Sequence, residues 1–222
     1  MFAHFCFDEG LAGHITLRDP EHKDHFWVNP FGVHFGQMKV SDLLLVSHDG
    51  DIVIGDRPVN NAAFAIHSRL HMNHPDLNAA AHSHSMYGKT FSTMGRLLEP
   101  ITQDSCAFYE NHVLFDDFTG VVLDTSEGDR IAEALGDKKA AILTTHGLLT
   151  TGTSVDEAAW GFLSMDRCCQ SQLMAENVGQ MPRIPDQVAE LTKNQVGSPI
   201  GMWMSYQPIY DLMLEKDDSF LN

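Results

Sequence analysis

Short apolar segments of strand length alternate with helical segments along most of this 222-residue chain. Apolar runs lie at 77–81 and 140–144, and the runs at 43–46 and 52–54 flank a polar, glycine-containing turn that is typical of a hairpin. Periodicity and punctuation predict helices between these strands, at 61–73, 85–94, 126–135, 154–177 and 186–194. This alternating order favours an α/β or α+β fold with a mixed sheet.

The signals that start and stop these helices are local and specific. The longest predicted helix opens with a Ser154-x-x-Glu157 capping box, and the helix at 126–135 stops at Gly136. No repeat, low-complexity tract or charge block marks a domain boundary. We therefore predict one domain over 1–222, with a core at about 8–176 and a proline-punctuated wrapping tail at 179–222.

The charge balance excludes some classes of partner. Lys and Arg number 14 against 30 Asp and Glu, a formal charge of −16, so the basic surface of a nucleic-acid or anionic-membrane binder is missing. No apolar run reaches the roughly 18 residues of a membrane span, and the first residues lack a signal-peptide pattern. These features predict a cytoplasmic protein. Its four irregularly spaced cysteines are expected to be reduced, with Cys106 acting as a small buried residue.

Histidine is the unusual residue, with 13 in the chain. His82 and His84 follow an apolar strand, and alternate residues of a strand point to the same face, so both imidazoles can converge on one metal ion. His146 follows a second apolar strand, where hydrogen bonding to its neighbours fits the spacing as well as metal binding does. Three imidazoles with open positions are typical of a catalytic metal site. His67, His71 and His74 recur on one predicted helix, where an exposed face is expected, although an outer role at the site fits His67.

Several segments together resemble the class II aldolase/adducin superfamily. They are PVNNAAFAIHSRL, AAAHSHSMYGK, DDFTGVVL and AAILTTHGLLTTGTSVDEAAWGF, which occur in the family's order over about 8–176. The resemblance implies an α/β/α sandwich around a central mixed or antiparallel sheet. It also implies a homotetramer with active sites near subunit interfaces, and one divalent metal ion (Zn²⁺, Fe²⁺ or Mn²⁺) on His82, His84 and His146. Family members begin with a helix that runs into the equivalent of FCFDEGLAGHITLRDP, and Met1 stands about where that helix should end, so we expect either that the chain has lost this helix or that the sequence is a fragment.

The sequence departs from the sugar-phosphate aldolases of this family at the acid/base position. By the resemblance, Ala63 stands where those enzymes carry a glutamate, Asn61-Ala62 stands where they carry a serine pair, and Gly13-His14 stands in their phosphate-binding loop. Without these groups we expect no cleavage of sugar phosphates, and we expect a small non-phosphorylated substrate with a carbonyl or carboxylate group.

A metal ion on three imidazoles can still serve as an electron sink for decarboxylation or retro-aldol cleavage. The proton donor or acceptor must then come from elsewhere. The candidates are His14 and Tyr109, with Gln103 as a donor that orients the carbonyl; packing or solvent-facing roles fit all three residues as well.

Two other functions remain open. VNNAAFAIHS, EPITQDSCAFY and WMSYQPIYD resemble the branch with the non-haem iron oxygenases of aminocoumarin biosynthesis, which implies an Fe(II) oxygenase that decarboxylates an oxo or hydroxy acid oxidatively. VNNAAFAIHS and DDFTGVVLD are also similar to the adducin head, a non-enzymatic binding module that does not keep the metal histidines. Stoichiometric metal would separate the enzymes from the binding module.

Overall fold

A computed structural model describes all 222 residues and contains one eight-stranded sheet with six α-helices. The strands lie in the order β4-β3-β2-β1-β5-β8-β7-β6, and every neighbouring pair is antiparallel except β6 and β7. The strands are β1 (His14–Arg18), β2 (His25–Val28), β3 (Leu44–Ser47), β4 (Ile52–Ile54), β5 (Ala79–Ser83), β6 (His112–Phe115), β7 (Ala140–Leu143) and β8 (Gly147–Gly152). The helices are α1 (Asn61–Asn73), α2 (Met86–Ser92), α3 (Thr125–Leu135), α4 (Val155–Glu176), α5 (Asp186–Val196) and α6 (Pro199–Lys216).

Both faces of the central strands are covered by helices, which explains why these strands are apolar without alternation. In β5, Ala79 and Ala81 belong to the core cluster that contains α4, whereas Ala80 belongs to the cluster with α1 and α3. Because neighbouring residues of a strand face opposite sides, this division places α4 on one face and the α1/α3 pair on the other. The predicted α/β/α sandwich around a mixed sheet is therefore confirmed.

The two helices of the α1/α3 layer pack at unusually close range. A Cβ atom on Gly128 of α3 would lie 2.0 Å from the backbone carbonyl oxygen of Ala65 in α1. Only glycine allows this approach, so Gly128 fixes the position of α1, the helix that carries His67 and His71, against the rest of the sandwich.

The helix predictions agree with the structure except in the tail. The helices predicted at 61–73, 154–177 and 186–194 correspond to α1, α4 and α5. After α5, the tail also contains a long helix, α6, that the sequence pattern did not predict. Ser198 caps α6 through Gly201 N–H, Pro199 occupies its first turn, and the helix continues through Pro208 because packing against α4 supports it.

None of the helices is long and apolar enough to cross a membrane.

Candidate metal centre

Three histidines meet at one end of the central strands. His82 lies in β5, His84 follows that strand, and His146 lies in the short turn that joins β7 to β8. One ring nitrogen from each lies within 4.8 Å of the others, and the ring centroids are 4.7 to 5.3 Å apart. The structure thus brings together the three residues that the sequence proposed as metal ligands, and we call them the histidine triad.

The backbone around the triad is constrained so that the rings converge. Thr145, immediately before His146, has a φ of 60°, which is a strained value for a β-branched residue. A Cβ atom on Gly147 would lie 3.1 Å from the carbonyl oxygen of Ser83, so this glycine lets the turn approach β5 closely. His82 Nδ1 donates a hydrogen bond to the Leu148 carbonyl at 2.8 Å, which leaves the Nε2 lone pair free.

The environment keeps the triad uncharged. Burial lowers the pKa of all three imidazoles below the usual 6.5, and the pKa of His146 falls to about 4 through burial and the nearby His84. A neutral imidazole with a free lone pair is the form that binds a divalent metal ion. Three such ligands without a fourth protein ligand leave positions open for a substrate, as in catalytic rather than structural sites. The triad therefore fits a divalent metal ion.

His14, a proposed catalytic residue, lies directly beside the triad. It pairs with His82 across β1 and β5, and the two rings stack with their centroids 5.7 Å apart. The side chain is buried, burial holds its pKa well below the usual value, and neither ring nitrogen has a hydrogen-bond partner. Because buried polar groups are nearly always paired, this unpaired imidazole is available to a polar group brought to the triad.

A row of buried polar side chains continues from His14 into the protein. The His67 ring lies edge-on to His14 at 5.7 Å, and the Thr16 hydroxyl joins His67 Nδ1 at 2.8 Å to His71 Nε2 at 3.0 Å. His67 and His71 are fully buried, so the prediction that they lie on an exposed helix face was wrong. That prediction failed because it took the histidines as the polar side of α1, whereas β1 supplies a polar partner, Thr16, inside the core.

Because of His67 and His71, the free energy of unfolding should depend on pH in the acidic range. Burial lowers the pKa of each to about 3 in the folded protein, against 6.5 when unfolded. The unfolded chain therefore binds more protons than the folded protein below pH 6.5. The contribution of these histidines to the free energy of unfolding is therefore complete above that pH and is lost as the pH falls toward 3. Each histidine should contribute a slope of about 1.4 kcal/mol per pH unit between about pH 5.5 and 4.

Urea unfolding of metal-free protein at several pH values measures this slope. We expect His71→Leu to lower it by about one histidine's share, roughly 1.4 kcal/mol per pH unit. The exposed His22→Gln serves as the control and should leave the slope as it is. An unchanged slope in the His71 variant would show that this ring is protonated in the folded protein.

The other two proposed catalytic residues lie elsewhere in the chain. Gln103 and Tyr109 flank the short helical turn Asp104–Phe108, which packs against α4 and α5. The Tyr109 ring lies 5.8 Å from the Arg183 guanidinium, and the strand that follows it, β6, is separated from β5 by β7 and β8. One chain therefore does not bring them to the triad, and their catalytic role stays a prediction that requires a second subunit.

Sequence reasoning missed three residues at the edge of the triad. The Phe118 ring lies 6.2 Å from the His146 ring, and Glu9 forms an ion pair with Lys89 close enough to alter the pKa of His84. Phe118 and Lys89 stand within the segments DDFTGVVL and AAAHSHSMYGK, but no spacing rule distinguishes them from surface residues. The contact of Glu9 with Lys89 joins distant parts of the chain, so no local pattern predicts it.

Comparison with known proteins relates this chain to a single family. The sequence profile described as "Class II Aldolase and Adducin N-terminal domain" matches residues 1–173. The chain is 47% identical to "Decarboxylase NovR" of Streptomyces niveus, over 97% of this chain and 81% of that protein. It is 46% identical to "4-hydroxy-3-prenylphenylpyruvate oxygenase/4-hydroxy-3-prenylbenzoate synthase" of Streptomyces roseochromogenus subsp. oscitans, over 97% and 79%. A solved structure, "L-fuculose 1-phosphate aldolase from Glaciozyma antarctica PI12", is 41% identical with a TM-score of 0.93, covering 100% of this chain and 87% of that chain.

Proposed function

The chain belongs to the class II aldolase and adducin family, and we propose that it is a metal-dependent enzyme that cleaves a carbon–carbon bond in a small, non-phosphorylated oxo or hydroxy acid. The observation that carries the proposal is the triad of neutral imidazoles, whose ligand atoms lie within 4.8 Å of one another. An adducin-like binding role, the other function within this family, needs no such triad. The names of the decarboxylase and oxygenase relatives support an enzyme that acts beside a carbonyl or carboxylate group.

In this proposal His82, His84 and His146 hold one divalent metal ion, Zn²⁺, Mn²⁺ or Fe²⁺. When bound, such an ion supplies Lewis-acid polarisation of a carbonyl group or, as iron, chemistry with dioxygen. His14 holds or moves the proton at one of its two unpaired ring nitrogens, in the role that a glutamate at position 63 would otherwise fill. Ala63 is itself buried in α1 and provides no acidic group. The His67 ring packs edge-on against His14 and is hydrogen-bonded to the Thr16 hydroxyl, so these two residues hold the His14 ring in place.

The second candidate is an Fe(II) oxygenase that decarboxylates an oxo or hydroxy acid oxidatively. The specific observation in its favour is the 46% identity to a relative named as a 4-hydroxy-3-prenylphenylpyruvate oxygenase. The 47% identity to a relative named as a decarboxylase favours the first candidate by a similar margin. Both candidates use the same three ligands, so dioxygen consumption is the property that separates them.

The test uses protein purified without oxygen and loaded in turn with Zn²⁺, Mn²⁺ and Fe²⁺. The substrates are 4-hydroxyphenylpyruvate, the unprenylated form of the oxo acid in the relative's name, and a 4-hydroxy-2-oxo acid for retro-aldol cleavage. We expect cleavage without dioxygen, at about 1 per second or faster with a good substrate. Strict dependence on Fe²⁺ and dioxygen would support the oxygenase, whereas failure to bind any metal would favour the adducin-like role.

Fuculose 1-phosphate and rhamnulose 1-phosphate should not be cleaved in the same assay. The resemblance places the phosphate contacts at Asn61-Ala62 and the acid/base group at Ala63, all in the first turn of α1, which Asn60 caps by accepting from the Ala62 and Ala63 N–H groups. The assay is a stringent test of this prediction, because the chain is 41% identical to a structure described as an L-fuculose 1-phosphate aldolase. Turnover near 1 per second would show that another residue replaces the missing glutamate.

We also propose that the protein is a cytoplasmic homotetramer with its active sites near subunit interfaces. Exposed apolar side chains lie at Phe118 beside His146 and at Met86, two residues after His84, and further ones lie on α6, namely Ile200, Trp203 and Met204. Burial against identical copies would remove this surface from water, and a neighbouring subunit could then supply Gln103 and Tyr109. Sedimentation equilibrium with an activity titration tests this, and a fully active monomer would contradict it.

A further inference from the structure

Helix α2 is joined at both of its ends to backbone that carries the histidine triad. It begins two residues after His84, the histidine that follows β5. At its other end, the carbonyl of Ser92 accepts a hydrogen bond from the N–H of Thr145 at 3.3 Å, and Thr145 immediately precedes His146. The position of α2 is therefore coupled to the backbone that carries two of the three imidazoles.

The same helix packs against the residue that orients the third imidazole. A Cβ atom on Gly88 of α2 would lie 2.7 Å from the side chain of Leu148 in β8, a distance that side chains do not tolerate without a shift. The carbonyl of Leu148 accepts the hydrogen bond from His82 Nδ1 at 2.8 Å. A displacement of α2 would thus disturb the placement of all three rings.

A buried carboxylate ties the start of α2 to α4. Ser85, the residue before α2, makes no capping hydrogen bond with its side chain, although the first N–H groups of a helix need partners from outside the helix. Asp166 of α4 instead accepts a hydrogen bond from the Gly88 N–H at 2.9 Å. Asp166 is buried, with 1% of its surface exposed, so a different helix supplies the capping group that α2 lacks.

We propose that Asp166 is a positioning residue of the metal centre, which holds α2 against α4 and so keeps the three imidazoles at the spacing that metal binding requires. This inference rests on the proposed function, because it needs a metal ion at the triad. A buried carboxylate carries a desolvation cost that an apolar residue would avoid. Its neighbours on α4 belong to the apolar core, namely Phe162, Met165 and Cys169. The hydrogen bond to α2 is therefore what the carboxylate contributes at this place.

Binding of Co²⁺ tests the proposal without catalysis. The visible absorption bands of this ion report the geometry of its ligands, and competition with a chelator gives its affinity. Asp166→Ala should weaken Co²⁺ binding by about 10- to 100-fold, the usual effect of losing a group that orients a metal ligand, and should shift the bands. Asp166→Asn keeps an oxygen that can accept from the Gly88 N–H, so it should bind Co²⁺ as the wild type does. Asp166→Ser, whose side chain is one bond shorter than that of aspartate, serves if the alanine variant does not fold.

A matched control is available on the same helix. Gln172 of α4 is fully buried, and its Oε1 accepts a hydrogen bond from the Glu99 N–H at 2.9 Å. Glu99 lies in the segment between α2 and β6, which carries none of the three histidines. Gln172→Ala should lower the urea midpoint of unfolding but leave the affinity and the bands of Co²⁺ unchanged. Because the metal binds the folded protein, lower stability alone does not weaken binding while nearly all of the protein is folded.

The outcomes separate this proposal from the proposed function. Unchanged Co²⁺ affinity and bands in Asp166→Ala would overturn the role of Asp166 and leave the metal-dependent enzyme standing. Equal weakening by Gln172→Ala would also overturn it, because the effect would then belong to α4 in general. A loss in Asp166→Asn as large as in Asp166→Ala would show that the hydrogen bond to Gly88 is not what positions the triad. Failure of the wild type to bind Co²⁺ would overturn the proposed metal centre, and this proposal with it.

Discussion

Replacing His82 with alanine should abolish stoichiometric metal binding and, with it, catalytic turnover. His82 is the fully buried member of the triad, and its Nδ1 bond to the Leu148 carbonyl fixes its ring toward His84 and His146. Loss of residues that only orient a ligand weakens metal binding by about 10- to 100-fold, so loss of a ligand should exceed that. Two imidazoles alone should not retain the ion through gel filtration.

Metal content by mass spectrometry and the far-ultraviolet circular dichroism spectrum are measured together. The fold should survive, since β5 keeps its pairing with β1 and β8 in the variant. The exposed His22→Ala serves as the control for removal of a histidine and should retain its metal. Full metal occupancy in the triple alanine variant of His82, His84 and His146 would show that the ligand assignment is wrong.

Replacing His14 with phenylalanine should leave metal binding intact and lower kcat by about 100- to 10,000-fold, the usual contribution of a general acid or base. Phenylalanine keeps an aromatic ring between His82 and His67, so the packing on both sides is retained. It removes the two ring nitrogens that have no partner in the protein. The loss should therefore fall on kcat rather than on KM or on metal content.

The matched control for this prediction is His74→Gln. His74 donates a hydrogen bond to the Ala132 carbonyl and lies at the end of α1, away from the triad. This variant should retain kcat. Equal kcat in the His14 variant and the wild type would show that His14 only packs against His82, and that another residue transfers the proton.

The parts of the fold that local signals specify could be predicted from the sequence. Ser154, which accepts from the Glu157 N–H, and the Asn60 cap begin α4 and α1 close to their predicted bounds. The apolar run before His82 forms β5, and the His82 and His84 rings lie close together, as their spacing predicts.

What could not be predicted depends on contacts between distant parts of the chain. The third histidine of the triad, His146, reaches the other two because β8 turns back against β7 and also pairs with β5, and no local pattern predicts this pairing. The spacing of His67 and His71 predicted a polar helix face, because their buried partner Thr16 lies in β1, far away in the sequence. The contact between Glu9 and Lys89 is equally non-local. The chemistry of the site therefore depends on the sheet order as much as on the histidine motif.

The location of the metal ion tests the central claim most directly. Crystals of metal-loaded protein, measured on both sides of the absorption edge of the metal, should give one strong anomalous peak among His82, His84 and His146. We expect about 2.0 to 2.1 Å from the peak to one nitrogen of each ring for zinc, with the remaining coordination positions free of protein groups. A peak bound elsewhere, or the absence of any peak at the triad in protein that contains stoichiometric metal, would contradict the account.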